Sequence, residues 1–399
     1  MIRLMANIGF YQQPNTANPE RNAVLQFPFV SEFEASHSWK NLTDTARIKM
    51  PKKVIVRDIT TGADYDLSGR SIIAPGGDNK PFLMRGDKVV VMGGYDFNMD
   101  EIFTGYVTQV IVKQPIEIVC EDNMYRLKQI KAKNVVYPDS YTFEGIIADL
   151  IAQANVAMDD GTKFTYATPG IQTNIGRFMV KNQTIAQVLD VFREGYRINS
   201  WFRGNELHSS ALAYLPEDFE FETGTDGKIV SASGSSVHNF VFQNNIISDE
   251  LQYTRKDDVR IGIKAYSVQK ELTSVLNKDG IPKSKHARLE VSVGDTEGEI
   301  RTYYSPGATT VAELKAEATA RLNRYYYEGF KGSFTTFLQP RVQHGDIVNL
   351  IDNVIPERSG SYFVKAVSPS ITMGGGRQRI EIDMRVDGNL TLEDINRGV

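Results

Sequence analysis

The chain of 399 residues contains one cysteine, Cys120, so an intramolecular disulfide is excluded. Cys120 lies in the alternating stretch IEIVCED, which predicts a strand and a small buried apolar residue. No apolar run approaches the ~18 residues that cross a bilayer, and no signal peptide is recognisable. We therefore expect a chain without a membrane segment, assembled in a reducing cytosol.

The sequence also lacks an excess of either charge. Its 45 Lys and Arg residues nearly balance 49 Asp and Glu residues, which gives a formal charge of -4. This balance argues against a polybasic nucleic-acid surface. The length suggests about two to four domains.

The short motifs of common enzymes are missing: His-Glu-x-x-His, Gly-x-Ser-x-Gly, Cys-x-x-Cys and the Walker phosphate loop. In ITMGGGRQR, Arg379 stands where a dinucleotide fingerprint needs its last glycine. Neighbouring carboxylates such as Glu121 and Asp122 point to opposite faces of a strand. Five scattered histidines are expected to be surface or packing residues: His37, His208, His238, His286 and His344. We predict no catalytic residue, no metal site and no cofactor.

Short alternating runs bounded by turn residues are abundant up to about residue 130 and again after about residue 240. Such runs are typical of a sandwich or barrel. Apolar residues recur at helical spacing over 143–151, 185–192 and 311–325, and Thr184 with Gln187 forms a capping-box pattern. The sequence predicts a mainly β fold with α+β parts.

These changes of pattern divide the chain. We predict a first small β-barrel domain over residues 1–130 and a middle α+β domain over 131–222. A second, related β-barrel domain is predicted over 223–399, with inserted strands and a helix at about 265–328.

The two predicted barrels share the same order of turn residues and strand motifs. A Gly-Asp turn opens a strand in GDKVVVM and again in GDIVNL, a glycine begins the next strand, and Ile-Glu-Ile occurs in the third. Glycine supplies the turn's backbone angles, and aspartate accepts turn N–H groups. The repeat positions are Gly86, Asp87, Gly105, Gly345, Asp346 and Gly360. Arg85 completes an adhesive-looking tripeptide, but the second copy has His344 there, so the Gly-Asp is attributed to turn construction.

Several segments, in this order, resemble the baseplate hub proteins of contractile phage tails, including the late control gene D group and the hub part of type VI secretion spike proteins. They are SWKNLTDTARIKMP, GDKVVVMGGY, IAQVLDVFREGYRINSWFRGNELHSSALAY, TTVAELKAEATARLNRYYYEG and FLQPRVQHGDIVNL. The resemblance covers residues 25 to 387. One difference is that no spike-forming repeats or lysozyme-like segment follow the second barrel.

The resemblance implies a structural, non-enzymatic homotrimer in which two barrels per chain form a pseudo-six-fold ring. It implies a tail tube protein, a spike protein and other baseplate proteins as partners, with DNA passing through without specific binding. The expected location is the baseplate of the virion tail, after assembly in the bacterial cytoplasm. Glu220 and Glu222 suggest that the channel is not basic.

Two other functions stay open at this point. The 20 Phe and 18 Tyr residues and the abundant acids also fit a cell-wall or glycan hydrolase built on β-domains. A tail adhesin that binds receptor glycans is the third possibility. The residues that form the trimer interface cannot be identified from alternation, because interface strands and core strands share it.

Overall fold

The computed structural model describes most of the chain. The described residues are 3–14, 19–28, 30–51, 55–62, 64–66, 83–111, 115–138, 140–158, 161–168, 177–196, 198–210, 221–223, 229–232, 236–255, 260–276, 282–305, 310–323, 329–355 and 358–386. Most of them lie in β-strands. The prediction of a mainly β fold with α+β parts is confirmed. Among these residues no helix is long and apolar enough to cross a membrane.

The described residues up to 129 form strands and one short helix. They are β1 (Leu4–Tyr11), β2 (Val24–Phe27), β3 (Glu32–Ser38), β4 (Thr45–Met50), β5 (Ile55–Asp58), β6 (Asp64–Asp66), β7 (Lys88–Tyr95), β8 (Asn98–Ile111), β9 (Ile116–Glu121) and α1 (Met124–Gln129).

A mixed region follows, in which two helices pack with short strands. Its elements are β10 (Val135–Tyr137), α2 (Phe143–Ala157), β11 (Thr165–Ala167), β12 (Phe178–Val180), α3 (Ile185–Tyr196), β13 (Asn199–Arg203) and β14 (Glu206–Ser210). The capping box before α3 is confirmed: the Gln187 N–H donates to Thr184 Oγ1 at 3.3 Å, and the Thr184 N–H donates to Gln187 Oε1 at 2.8 Å.

The remaining described residues are again mostly strands, with one helix. They are β15 (Phe221–Thr223), β16 (Ile229–Ala232), β17 (Val237–Val241), β18 (Ile246–Asp249), β19 (Gln252–Thr254), β20 (Ile261–Leu276), β21 (Pro282–Gly294), β22 (Glu299–Tyr304), α4 (Val311–Asn323), β23 (Gly329–Phe337), β24 (Ile347–Ile351), β25 (Gly360–Thr372) and β26 (Gly375–Arg385). Strand β15 spans the predicted domain boundary at residue 222.

One sheet of 16 strands runs through both ends of the chain, in the order β18-β23-β26-β25-β3-β4-β9-β8-β7-β1-β2-β5-β6. Strand β24 pairs with β25 and β17, and β19 pairs with β23. The early strands and the late strands meet where β25 pairs with β3. The pairing of β25 with β3 thus joins the early strands and the late strands into one continuous sheet.

Separate apolar cores lie along the chain. The early strands enclose one core that includes Phe10 and Phe33, and the late strands enclose another around Phe334 and Tyr362. Helices α1 to α3 pack on a third core with β10 to β14. The stripe of α4 at Leu314 and Ala318 covers the sheet of β20, β21 and β22. Leu338, directly after β23, and Ile371 of β25 nevertheless pack into the first core.

Candidate functional site

The first Gly-Asp turn is held by a buried aspartate. Gly86 has a φ of +95°, which favours glycine, and the Asp87 side chain is 1% exposed. Asp87 accepts hydrogen bonds from the Met84 N–H at 2.7 Å and the Gln13 N–H at 3.0 Å. Its carboxylate also pairs with buried Arg21 at 2.5 Å. The aspartate therefore satisfies a turn, a neighbouring segment and a buried cation together.

The second Gly-Asp turn is built on the same plan. Gly345 has a φ of +87°, and Asp346 is 4% exposed. Asp346 accepts from the Gln343 N–H at 2.8 Å and the Ser236 N–H at 3.4 Å, and His238 Nε2 lies 3.2 Å from its carboxylate. A histidine thus takes the place that the buried arginine has in the first copy.

The backbone hydrogen bonds of the two turns match one for one. The glycine N–H donates to a valine carbonyl at 2.8 Å in both copies, Val107 in the first and Val364 in the second. The N–H of that valine donates back to the aspartate carbonyl at 2.9 Å in both, and the aspartate N–H donates at 3.1 Å to the residue three positions before it. The turns are equivalent in detail and share more than a sequence motif.

The strands around the turns are equivalent too. We call β4-β9-β8-β7 the first ladder and β23-β26-β25-β24 the second ladder, because each is a run of antiparallel neighbours in that order. Val107 faces Cys120 in the first ladder, and Val364 faces Ile382 in the second. Directly after that valine both ladders have a register shift, so one extra residue is inserted in the same place. A shared bulge is strong evidence of internal duplication, because nothing in generic strand pairing requires it.

The ladder register also refines the repeat read from the sequence. Since Val107 matches Val364, the position equivalent to Gly105 is Tyr362, and Gly360 lies two residues earlier. Gly105 is required locally, because a Cβ there would lie 2.1 Å from the Glu121 carbonyl oxygen. Gly360 is crowded by side chains, with Arg385 and Tyr362 atoms at 3.1 Å. The two glycines therefore serve different close contacts.

The tripeptide at 85–87 is not presented for binding. Asp87 is buried and fully engaged in the turn, and the Arg85 guanidinium lies over the Tyr125 ring at 5.7 Å. The structural role predicted for the buried cysteine is also confirmed: Cys120 is a free, buried thiol in the first core, and burial raises its pKa.

A buried polar joint lies where the two ladders and the middle region meet. It surrounds a cavity of about 200 Å³, whose polar lining includes His37, Asp44, Asp122, Arg203, Arg341 and His344. Asp44 accepts from the Ser38 N–H at 3.0 Å, and His37 Nδ1 lies 2.9 Å from its other oxygen. His37 Nε2 lies 3.0 Å from the Ile102 carbonyl, to which it donates. The His37 ring therefore bridges the Asp44 carboxylate and the Ile102 carbonyl.

Burial shifts the pKa values of several groups in this joint. Burial, together with nearby Asp44, raises the pKa of Asp122 well above its ordinary value. Burial lowers the pKa of His344 to about 4, so this imidazole is neutral at pH 7. Burial also lowers the pKa of the Arg341 guanidinium. The joint is thus a mixture of charged and neutral groups held in a confined space.

The other histidines have packing roles or lie outside the described side chains. His208 stacks on Trp201 with ring centroids 5.9 Å apart, and burial lowers its pKa. His238 bonds Asp346, as described above. The side chain of His286 is not among those described. Within the described residues, no three His, Cys, Asp or Glu side chains are grouped so as to hold a metal ion.

Two solved structures share this fold over nearly their whole length. The tail protein from Neisseria meningitidis MC58 superposes with a TM-score of 0.56 at 11% identity, covering 98% of each chain. The 43 kDa tail protein of prophage MuSo2 from Shewanella oneidensis superposes with a TM-score of 0.54 at 10% identity, covering 95% of this chain and 98% of the other. No family profile and no curated protein sequence matches the chain. The chain therefore has the fold of these phage tail proteins, as the resemblance in its sequence predicted.

Proposed function

We propose that the chain is a structural hub in the baseplate of a contractile phage tail or a related injection machine. The observation that carries this proposal is the internal duplication: two ladders with the same turn and the same bulge directly after the matched valine, in a chain with the fold of phage tail proteins. A duplicated unit lets an assembly of three chains present six similar faces around one axis. Such a ring joins a three-fold spike to a six-fold tube.

The proposed partners follow from this geometry. A tail tube protein binds the face with six-fold repeats, a spike protein binds the three-fold side, and other baseplate proteins surround the ring. The two barrel domains are proposed at 1–130 and 223–399, separated by the α+β domain at 131–222.

In the proposed hub, DNA passes along the axis without specific binding. The motivation is the formal charge of -4 together with Glu220 and Glu222. Glu220 lies outside the described residues, and the Glu222 side chain is not described. DNA retention by the purified ring that weakens steeply with salt would contradict a non-basic channel.

The proposed role is non-enzymatic. Although the joint contains two buried carboxylates, its residues bond turns and strands to each other: Asp44 binds the Ser38 N–H, and the Asp122 carboxyl accepts from the Met124 N–H at 3.1 Å. Both acids are buried and each has a structural hydrogen bond. This arrangement supports a fixed joint between units better than a hydrolase site.

The test is the oligomeric state of the purified 399-residue chain. We expect a native mass three times the chain's 44.7 kDa and a ring in averaged electron micrographs. A monomer at all concentrations, without a ring, would overturn the hub. Release of fragments from peptidoglycan that one carboxylate substitution abolishes would support the hydrolase, and specific binding on a glycan array would support the adhesin.

A further inference from the structure

The two ladders of one chain are joined by the pairing of β25 with β3. The duplication provides a second pair of strand edges that corresponds to this junction, and among the described residues those edges are not paired with each other. Within the chain, the last part of β25 pairs antiparallel with β3: Ala366 faces Ser38, and Val367 faces His37. Strand β3 in turn pairs with β4 of the first ladder. The second ladder is therefore joined to the first by one strand edge.

The duplication shows which residues of the first ladder correspond to that edge of β25. Val107 matches Val364, and after the shared bulge Gln109 and Val110 match Ala366 and Val367. In β25 these positions pair with β3. In β8 the same edge pairs with no strand among the described residues, since β7 begins opposite Tyr106. Gln109 is exposed there.

The partner strand can be matched in the same way. Phe33 of β3 faces Ile48, and the equivalent of Ile48 in the second ladder is Phe334, which faces Asp249. Ser36 faces Thr45, and the corresponding pair is Gln252 with Lys331. Continuing this alignment past Gln252, strand β19 corresponds to the end of β3, so that Tyr253 matches His37 and Thr254 matches Ser38.

The outer edge of β18 and β19 also lacks a paired strand among the described residues. Both strands pair only with β23 among the described residues, and β18 is the end of the sheet. Ser248 and Asp249 are exposed, and Ile247 is 44% exposed. Open strand edges invite pairing with another chain unless they are covered. Within the described part of the chain, two strand edges thus have no paired strand, and they correspond to the two partners of the internal junction.

We propose that the β8 edge at 109–111 of one chain pairs antiparallel with β19 of a second copy. Gln109 then faces Thr254 of the neighbouring copy, and Val110 faces Tyr253. The two edges differ, so the contact is head to tail, and repetition closes a ring in which internal and intermolecular junctions alternate. This inference rests on the proposed ring and identifies the surface that forms it.

Cysteine pairing tests the register directly. Directly opposed residues of an antiparallel pair have Cα atoms about 4.5 to 5.5 Å apart, within the range of a disulfide. The natural thiol is buried and does not compete. The variant with Gln109→Cys and Thr254→Cys should form disulfide-linked dimers and trimers under mild oxidation, seen on a non-reducing gel. Each single variant should stay a single chain.

A misplaced pair is the matched control. Gln109→Cys with Ser248→Cys moves one thiol six residues along, a separation of about 20 Å at ~3.3 Å per residue, and should give no linked species. The native mass of the wild type is measured in parallel. A trimer in which Gln109→Cys with Thr254→Cys does not link overturns this interface and leaves the hub standing. A monomeric wild type overturns both, and equal linking in both double variants overturns the register.

Discussion

The carboxylate of Asp87 offers the sharpest test of how the first turn is held. Asp87→Asn keeps the size of the side chain and an oxygen for one N–H donor, but it removes the charge that pairs with Arg21. Arg21 is 6% exposed and Asp87 is 1% exposed, so water does not replace the lost partner. Breaking a buried ion pair by removing one partner costs about 3 to 5 kcal/mol.

The second turn supplies the matched control. In Asp346→Asn the neighbouring His238 loses its carboxylate, and Arg203 loses only a looser ion pair, because its guanidinium is less buried than that of Arg21 and lies 3.9 Å from the carboxylate. The main loss is in the hydrogen bonds from the Gln343 and Ser236 N–H groups, which find a neutral amide in place of the carboxylate and weaken by about 1 kcal/mol each. We expect Asp346→Asn to cost about 1 to 2 kcal/mol, clearly less than Asp87→Asn.

Urea unfolding followed by tryptophan fluorescence and circular dichroism measures both variants. A double-mutant cycle with Arg21→Gln isolates the pair, and we expect a coupling free energy above about 1.5 kcal/mol. Equal losses in the two aspartate variants, with no coupling to Arg21, would refute the reasoning. It would mean that the turn hydrogen bonds, common to both copies, carry the whole effect.

Three further variants probe other features. Phe97 is 78% exposed and has a φ of +69°, so Phe97→Gly should raise the unfolding free energy by up to about 1 kcal/mol; a lower thermal midpoint would contradict this. The pKa of the Asp122 carboxyl is raised in the folded protein. As pH rises above about 4, this carboxyl therefore ionises more readily in the unfolded chain than in the folded one, and the free energy of unfolding falls. Asp122→Asn keeps an acceptor for the N–H of the next helix and should stabilise the protein at pH 7, but not at pH 3, in urea titrations. His344 has a pKa lowered to about 4, so unfolding takes up a proton between about 4 and 6.5 and stability falls as pH falls through that window. His344→Gln should flatten that part of the stability profile, and an unchanged slope would assign the proton uptake to another group.

Local patterns in the sequence predicted the elements well, because each depends on neighbours along the chain. The stripe of Phe143, Ile146 and Leu150 is buried on α2, and the Thr184 capping box forms as expected. Pairing between strands that are distant in the sequence could not be predicted. Pairing between β25 and β3 joins residues more than 300 positions apart, and alternation specifies only which face of a strand is buried.

The exact alignment of the two repeat copies also depends on strand pairing and could not be fixed from the glycines that they share. Sequence similarity aligned Gly105 with Gly360, whereas the ladder aligns the valines that receive the glycine N–H. The correct alignment could have been found in the sequence from the pattern Val-x-x-Val, which begins at Val107 in the first copy and at Val364 in the second. The bulge between those valines could not be inferred, because an inserted residue changes pairing without changing composition.

The two copies differ most at the strand that lies beyond the Gly-Asp turn, and that difference has a consequence for assembly. Strand β1 runs antiparallel to β7, whereas β17 runs parallel to β24. Yet a backbone N–H reaches the turn aspartate in both copies, from Gln13 after β1 and from Ser236 before β17. The turn keeps its bond although the chain enters from opposite directions. The duplicated ladder can therefore preserve its own geometry while its flanks diverge, which the proposed ring requires if its two sides bind partners of different symmetry.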